Sequence, residues 1–107
     1  MIYEYRVYTI REGKMERLQR LFTETVMPLF NKCNIKTVGY WEPEGGEGRK
    51  FIYMVGFENA AHRERAWRDF ADDPDWKQKR AALEKEGLPW EKIESTVLVP
   101  TSFSPLQ

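Results

Sequence analysis

The stretch IKTVGYWEPEGGEGRKFIYMVGFE, residues Ile35–Glu58, contains two strand-like segments joined by a glycine-rich link. IKTVGYWE and RKFIYMVGFE are rich in β-branched and aromatic residues, which favour strands. PEGGEG between them favours a hairpin turn or a longer flexible loop. The stretch therefore predicts two neighbouring antiparallel strands in the middle of the chain.

Before this pair, the chain offers one strand and one helix. Residues Ile2–Ile10 are rich in Tyr, Val, Ile and Thr, which predicts the first strand. From Lys14 to Cys33, apolar residues recur at spacings of three and four, so this segment is predicted to be an amphipathic helix. Pro28 lies inside it and should kink or interrupt it, because proline has no N–H to donate.

After the pair, the chain offers two helices and a last strand. Asn59 is a predicted N-cap for a helix over residues 60–71, and Gly87 is placed to end a short second helix. A final strand is predicted over Ile93–Val99. The order is that of a ferredoxin-like βαββαβ domain with an antiparallel sheet, an α+β fold that occupies residues 1–107 as one domain.

The acidic stretch DFADDPDWKQK, Asp69–Lys79, has two possible interpretations. A calcium loop that starts at Asp73 would need an oxygen ligand at its fifth position and glycine at its sixth, where Lys77 and Gln78 stand. Helix capping needs only Asp73 as the cap, Pro74 at the first helical position and an acid in the first turn. The stretch is therefore predicted to start a helix, without a metal.

Both faces of the predicted sheet are apolar. In the first strand, Tyr3, Tyr5 and Val7 share one face, and Ile2, Tyr8 and Ile10 share the other. Helices of a ferredoxin-like unit cover only one face, so the other is predicted to meet a second copy. Aromatic residues, 14% of the chain, also exceed what so small a core needs, which suggests a second buried surface for a partner or a ligand. We therefore expect a homodimer, in which two units join as an α+β barrel.

Composition excludes several classes of function. The 17 basic and 17 acidic residues are interleaved, so no basic face for nucleic acid is expected. Cys33 is alone, which leaves no disulfide framework and no thiolate metal site. No apolar run approaches the roughly 18–20 residues that span a bilayer, and the strand-like N-terminus leaves no room for a signal or transit peptide. A cytoplasmic protein is expected.

The sequence resembles the NIPSNAP family. The similar segments are YEYRVYTIREGKM at the start, VGYW at residues 38–41, HRERAWR with DPDW, and VLVPTSFSP at the end. The resemblance implies a dimeric α+β barrel and a bacterial-type protein without a mitochondrial presequence or a tandem domain. It implies no catalytic residues, since none is generally established in the family. The wider superfamily includes cofactor-free monooxygenases, lactone isomerases and haem-degrading enzymes, so fold alone decides nothing about activity.

Glu4 and Arg6 are the first candidate site residues. They lie two apart on one strand and therefore share a face, where burial would require each charge to find a partner. They form either a structural ion pair or the polar end of a pocket in which Arg6 orients an anionic or carbonyl group. Tyr40 and Trp41, in the neighbouring segment, are the predicted aromatic wall of such a pocket.

Three further candidates lie on the helix after Asn59. Arg63 falls on the inward face and is predicted to reach a carboxylate such as Glu4, and Trp67 is expected in the core near the ligand. His62 lies on the flank of the apolar face and is expected at the surface or rim. It could move a proton or ligate haem only if it pointed inward, and no second metal ligand accompanies it.

Two functions are compatible with these residues. The first is a homodimer that binds a small apolar or aromatic ligand. If it is an enzyme, it catalyses a cofactor-free oxygenation or isomerisation in which Arg6 stabilises an oxyanion and a tyrosine or His62 moves the proton. The second is a non-catalytic interaction or scaffold module with a closed pocket. A haem-binding protein is a third, weaker alternative, and no cofactor is expected under the first two.

Overall fold

A computed structural model describes the whole chain, Met1–Gln107. Its elements follow the predicted order. They are β1 (Ile2–Ile10), α1 (Met15–Leu21), a π-helical turn (Phe22–Val26), α2 (Met27–Lys32), β2 (Lys36–Trp41), a 3-10 segment (Glu44–Arg49), β3 (Lys50–Phe57), α3 (Ala60–Asp72), α4 (Pro74–Glu86) and β4 (Trp90–Leu98). No helix is long and apolar enough to cross a membrane.

The four strands form one antiparallel sheet in the order β2-β3-β1-β4. This is the strand order of a ferredoxin-like unit, so the predicted fold class is confirmed. The predicted hairpin is also confirmed, because β2 pairs with β3 across the glycine-rich segment. Gly45, Gly46 and Gly48 adopt positive φ angles there, which explains the concentration of glycine.

The helices cover one face of the sheet. Residues at even positions of β1 and odd positions of β3 point toward them, and the hydrophobic core lies in between. Its centre is aromatic: the ring of Phe22 lies 5.7 Å from that of Tyr8 and 5.2 Å from that of Tyr53. On the opposite face, Tyr5, Val7, Ile52 and Met54 remain partly exposed. The prediction of two apolar faces is therefore confirmed.

The first helical segment runs without a break from Met15 to Lys32, although Pro28 was expected to kink or interrupt it. The chain instead makes a π-helical turn over Phe22–Val26, and Pro28 stands at the start of α2. Because proline has no N–H to donate to the carbonyl four residues earlier, the π-helical turn directly before Pro28 accommodates it inside a continuous helix. The local irregularity is real, but it does not end the helix.

Helices α3 and α4 begin at the capping residues that the sequence predicts. The Asn59 side chain accepts a hydrogen bond from the His62 N–H, and that of Asp73 accepts from Asp75 and Trp76, so both predicted caps are confirmed. Gly87, at φ +97°, ends α4 as predicted. The second helix was expected to be short, but it spans 13 residues, as many as α3.

The last strand differs from its predicted bounds. It begins at Trp90 instead of Ile93, because pairing with Ile10 of β1 extends the ladder past a register shift. It ends at Leu98, and Val99 starts the C-terminal tail. The tail folds back far enough for the Tyr3 hydroxyl to donate to the backbone carbonyl of Gln107, at 2.7 Å.

Candidate functional site

A buried carboxylate lies at the centre of the site. The side chain of Glu4 is only 1% exposed, and both oxygens are fully engaged. Oε1 accepts from Arg63 Nε at 2.7 Å and from Trp67 Nε1 at 2.8 Å. Oε2 accepts from Arg6 Nη1 at 3.0 Å and from Ser95 Oγ at 2.6 Å. The predicted contacts of Glu4 with Arg6 and with Arg63 are both confirmed.

Strand alternation and helix periodicity bring these side chains together. Glu4 and Arg6 are two residues apart on β1, so both face the helices. Arg63 and Trp67 are four apart on α3, so they share one side of that helix. Ser95 stands directly opposite Arg6 in the ladder between β1 and β4. Three elements therefore converge on one carboxylate, which we call the Glu4 cluster: Glu4, Arg6, Arg63, Trp67 and Ser95.

The cluster holds Glu4 ionised. Burial by itself would raise the pKa of the Glu4 carboxyl, but hydrogen bonds from Ser95, Arg63, Trp67 and Arg6 together lower it to about 2. A carboxylate with four donors and so low a pKa is a poor proton acceptor at neutral pH. Glu4 therefore orients its neighbours and does not act as a base.

Arg6 is held between aromatic rings. Its guanidinium carbon lies 5.1 Å from the ring centre of Trp67 and 5.8 Å from those of Tyr8 and Tyr53. Burial would lower the pKa of Arg6, but Tyr53, Tyr8 and the Glu4 carboxylate raise it above its ordinary value. The side chain therefore stays charged. One of its donors, Nε, is buried and has no hydrogen-bond partner.

Arg6 borders a cavity of about 210 Å³ between the sheet and the helices. Twelve of the 14 residues that line it are hydrophobic, and the other two are Arg6 and Arg80. Its aromatic lining residues are Tyr8, Phe22, Phe30, Tyr53, Trp67, Phe70, Trp76 and Trp90. The cavity thus has an apolar, aromatic wall and two cationic residues at its border.

The other polar groups of the cavity are neutral or paired. Burial raises the pKa of the Tyr53 hydroxyl well above its usual value, so that hydroxyl is neutral at physiological pH. Arg80 donates from Nε to Glu84 Oε1 at 2.8 Å, and its guanidinium carbon lies 5.4 Å from the ring centre of Trp90. Chemically, the cavity can hold a compact aromatic molecule and offer it a hydrogen bond from the Arg6 guanidinium.

Tyr40 and Trp41 do not contribute to this cavity, although they were predicted as its wall. Tyr40 pairs with Tyr53, which in turn pairs with Arg6, so the ring of Tyr53 stands between them. Trp41 is 49% exposed at the end of β2. Both instead border a separate, shallow groove with Phe22, Met27 and Phe51. The register, which the sequence did not specify, separates this pair from Arg6 by one strand.

His62 lies outside the Glu4 cluster, at the rim of the helix layer. Its Nδ1 accepts from the backbone N–H of Glu58 at 2.9 Å, so Nε2 carries the proton and donates to the Asn34 carbonyl at 3.0 Å. Both ring nitrogens are therefore engaged with backbone, and the imidazole links the turn before β2 to the turn before α3. His62 therefore has a structural position, in which it holds these two turns together.

Several residues of the site were missed from the sequence. Ser95 donates the shortest hydrogen bond to Glu4, and Tyr8, Tyr53 and Trp90 form much of the cavity wall. Tyr8 and Tyr53 had the right strand parity to face the helices, which was a usable indication. Nothing in the sequence indicated Ser95, because only the pairing of β4 with β1 sets it against Arg6.

Comparison with known proteins gives a consistent result. The NIPSNAP family model matches residues 3–105. A NIPSNAP family protein of Agrobacterium tumefaciens strain C58 is similar in structure, with 29% identity, coverage of 99% of this chain and 98% of that chain, and a TM-score of 0.87. An uncharacterised NIPSNAP domain protein of Burkholderia xenovorans has 24% identity, coverage of 98% and 99%, and a TM-score of 0.81.

A more distant likeness concerns the fold alone. A candidate antibiotic biosynthesis monooxygenase of Deinococcus radiodurans has 13% identity, coverage of 100% of this chain and 99% of that chain, and a TM-score of 0.62. No protein with a curated description matches this sequence.

Proposed function

The chain belongs to the NIPSNAP family, and we propose that it binds a small, largely aromatic molecule in the cavity between its sheet and its helices. In this proposal an oxygen atom of the ligand accepts a hydrogen bond from Arg6, and the ring packs against the aromatic wall. The volume of about 210 Å³ suits a compact molecule such as a single substituted ring.

The observation that carries the proposal is the unpartnered Nε–H of Arg6. A buried donor without an acceptor costs about 1–3 kcal/mol, and more when it is charged. Folded proteins satisfy nearly all such groups, so an unpaired donor on a side chain that lines a cavity supports a missing acceptor. A ligand oxygen would supply that acceptor, because the Glu4 carboxylate beside Arg6 already accepts from four donors.

The geometry of the site limits how the reactions predicted from the sequence could proceed. A cofactor-free oxygenation or isomerisation could use Arg6 to stabilise an oxyanion. Two of the predicted proton acceptors are unsuitable: Glu4 has a pKa of about 2, and both nitrogens of His62 are bound to backbone elsewhere. Of the predicted proton carriers, only tyrosine lines the cavity, and we propose binding as the primary function.

We also propose that the protein is a homodimer built on the open face of the sheet. Tyr5, Val7, Ile52 and Met54 are only partly covered on that face, and Leu98 on the edge strand is 38% exposed. A continuous apolar face on a β-sheet needs a cover, and a second copy presents the same surface about a two-fold axis. Two ferredoxin-like units joined in this way form the α+β barrel.

The binding proposal is tested with benzoate and benzamide, two ring compounds of similar shape that both carry an acceptor oxygen. Saturation-transfer NMR detects weak binding of such fragments at millimolar concentration. We expect at least one of them to bind the wild-type protein and to lose most of its affinity in Arg6→Met, which removes the donor. Arg68→Met, an exposed residue on α3, serves as the matched control and should bind like wild type.

Failure of this test has a defined meaning. If neither compound binds, or if binding persists in Arg6→Met, the cavity is not a ligand site that depends on Arg6. That result would favour the interaction module that the sequence also allows. A melting curve for each variant separates loss of binding from loss of fold.

A further inference from the structure

The Glu4 cluster has an unbalanced charge. It contains two guanidinium groups, Arg6 and Arg63, but only the single carboxylate of Glu4. Trp67 and Ser95 contribute neutral donors. Arg80, the other cation beside the cavity, has a carboxylate of its own in Glu84. The polar end of the cavity therefore carries a net charge of one positive unit, next to a wall that is almost entirely apolar.

Such a charge discriminates between ligands of the same shape. A neutral carbonyl can accept the free hydrogen bond of Arg6, but it leaves the excess charge uncompensated. An anion supplies the hydrogen bond and balances the charge, in surroundings where charges interact more strongly than in water. The excess positive charge of the cluster should therefore favour an anionic ligand over a neutral ligand of the same shape.

Resting on the proposed function, we infer that the ligand is an aromatic or similarly compact carboxylate that binds as a monoanion. One carboxylate oxygen accepts from the Arg6 guanidinium, and the apolar body lies among Tyr53, Trp67 and Trp76. A phenol is a poorer candidate, because it is neutral at pH 7 and would leave the excess positive charge unbalanced. A dianion is also a poorer candidate, because its second charge would have no counterpart.

Arg63 allows a test of this inference, because a change in ligand affinity on replacing it could not come from direct contact with the ligand. It donates to Glu4 from the outer side and is not among the residues that line the cavity, and its side chain is 31% exposed. Its effect on a ligand is therefore exerted through charge and through Glu4. Replacing it with an uncharged donor should weaken an anionic ligand and leave a neutral one much less affected.

The experiment compares benzoate, benzamide and phenol on the full-length protein, by isothermal titration or NMR titration at pH 7. We expect wild type to bind benzoate at least tenfold more tightly than either neutral compound. In Arg63→Gln the preference for benzoate should fall to about threefold or less, and Arg63→Lys should restore most of it. Arg65→Gln removes one charge two residues away, outside the cluster, and should keep the full preference.

The outcomes separate this inference from the proposed function. If benzamide or phenol binds wild type as tightly as benzoate, through Arg6, the cavity is a ligand site but the inferred charge of the ligand is wrong. If none of the three binds, the proposed function fails and the inference fails with it. If wild type prefers benzoate and Arg63→Gln leaves that preference intact, the preference comes from Arg6 alone. The net charge of the Glu4 cluster would then not determine it. The first comparison needs no variant, so poor folding of a substituted protein cannot leave the inference untested.

Discussion

Glu4 links the stability of the protein to pH, because its charge holds four donors from three elements. Its pKa is about 2 in the folded protein, compared with 4.5 as the ordinary value. A depressed carboxyl pKa contributes stability that is fully present above the unfolded-state pKa and is lost as pH falls toward the folded one. The relevant window therefore lies between about pH 5 and pH 2.

We expect wild type to lose about 3 kcal/mol of unfolding free energy through this group as pH falls across that window. Glu4→Gln should be less stable at pH 7 by about 3 kcal/mol, because it leaves buried guanidinium groups without their anion. Its own stability should fall less toward acid. Urea unfolding at several pH values measures both effects, and Glu94→Gln on the exposed edge strand is the control. Parallel pH profiles for wild type and Glu4→Gln would contradict this role.

For individual residues, contacts were predicted correctly from the sequence where strand alternation or helix spacing alone determines them. Strand alternation paired Glu4 with Arg6, and helix spacing turned Arg63 and Trp67 inward, and the structure joins all four. It failed for Tyr40, because alternation gives the face of a strand but not its distance from another strand. The intervening Tyr53 could be located only once the order β2-β3-β1-β4 was known.

Helix α4 depends on the residue that precedes it. Asp73 accepts hydrogen bonds from the backbone N–H groups of Asp75 and Trp76, and its other oxygen accepts from Lys32 Nζ at 2.7 Å. The cap therefore both starts α4 and ties it to α2. The position of α4 matters for the site, because Trp76 and Arg80 of this helix line the cavity.

We expect Asp73→Ala to lower the melting temperature by about 5 °C, since an N-cap is lost in a small domain. Asp72→Ala is the matched control: that aspartate is adjacent, exposed and makes no capping contact, so its melting temperature should stay within about 1 °C of wild type. Thermal unfolding followed by circular dichroism measures both. Equal melting temperatures for the two variants would show that the cap does not hold α4.

Helix ends that depend on a capping residue were predicted at the right position. Strand and helix features that depend on residues far away in the sequence were not. The caps at Asn59, Asp73 and Gly87 lie where the sequence indicated. The start of β4 was predicted three residues late, because Trp90 joins the sheet through pairing with Ile10 across a register shift. The π-helical turn before Pro28 likewise reflects a choice among backbone hydrogen bonds that side-chain periodicity does not reveal.

At the scale of the whole molecule, one face of the sheet is apolar and is not covered by helices. The helix face is closed by the core, whereas Tyr5, Val7, Ile52 and Met54 lie together on the other side. Exposure continues onto the C-terminal side of the chain, where Leu98 is 38% and Val99 75% exposed. A second copy that covers this face would bury a surface that is apolar at its centre and mixed in charge at its edges.

Ile52→Lys tests this assembly without disturbing the core, because Ile52 points away from the helices. We expect wild type to be a dimer by light scattering and Ile52→Lys to be largely monomeric, since each copy would bury an unpaired ammonium group in the contact. Met27→Lys introduces the same charge at an exposed apolar residue on the helix side and should remain a dimer. Circular dichroism should be unchanged in both. A monomeric wild-type protein, or a dimer that tolerates Ile52→Lys, would mean that this face is not the contact between subunits.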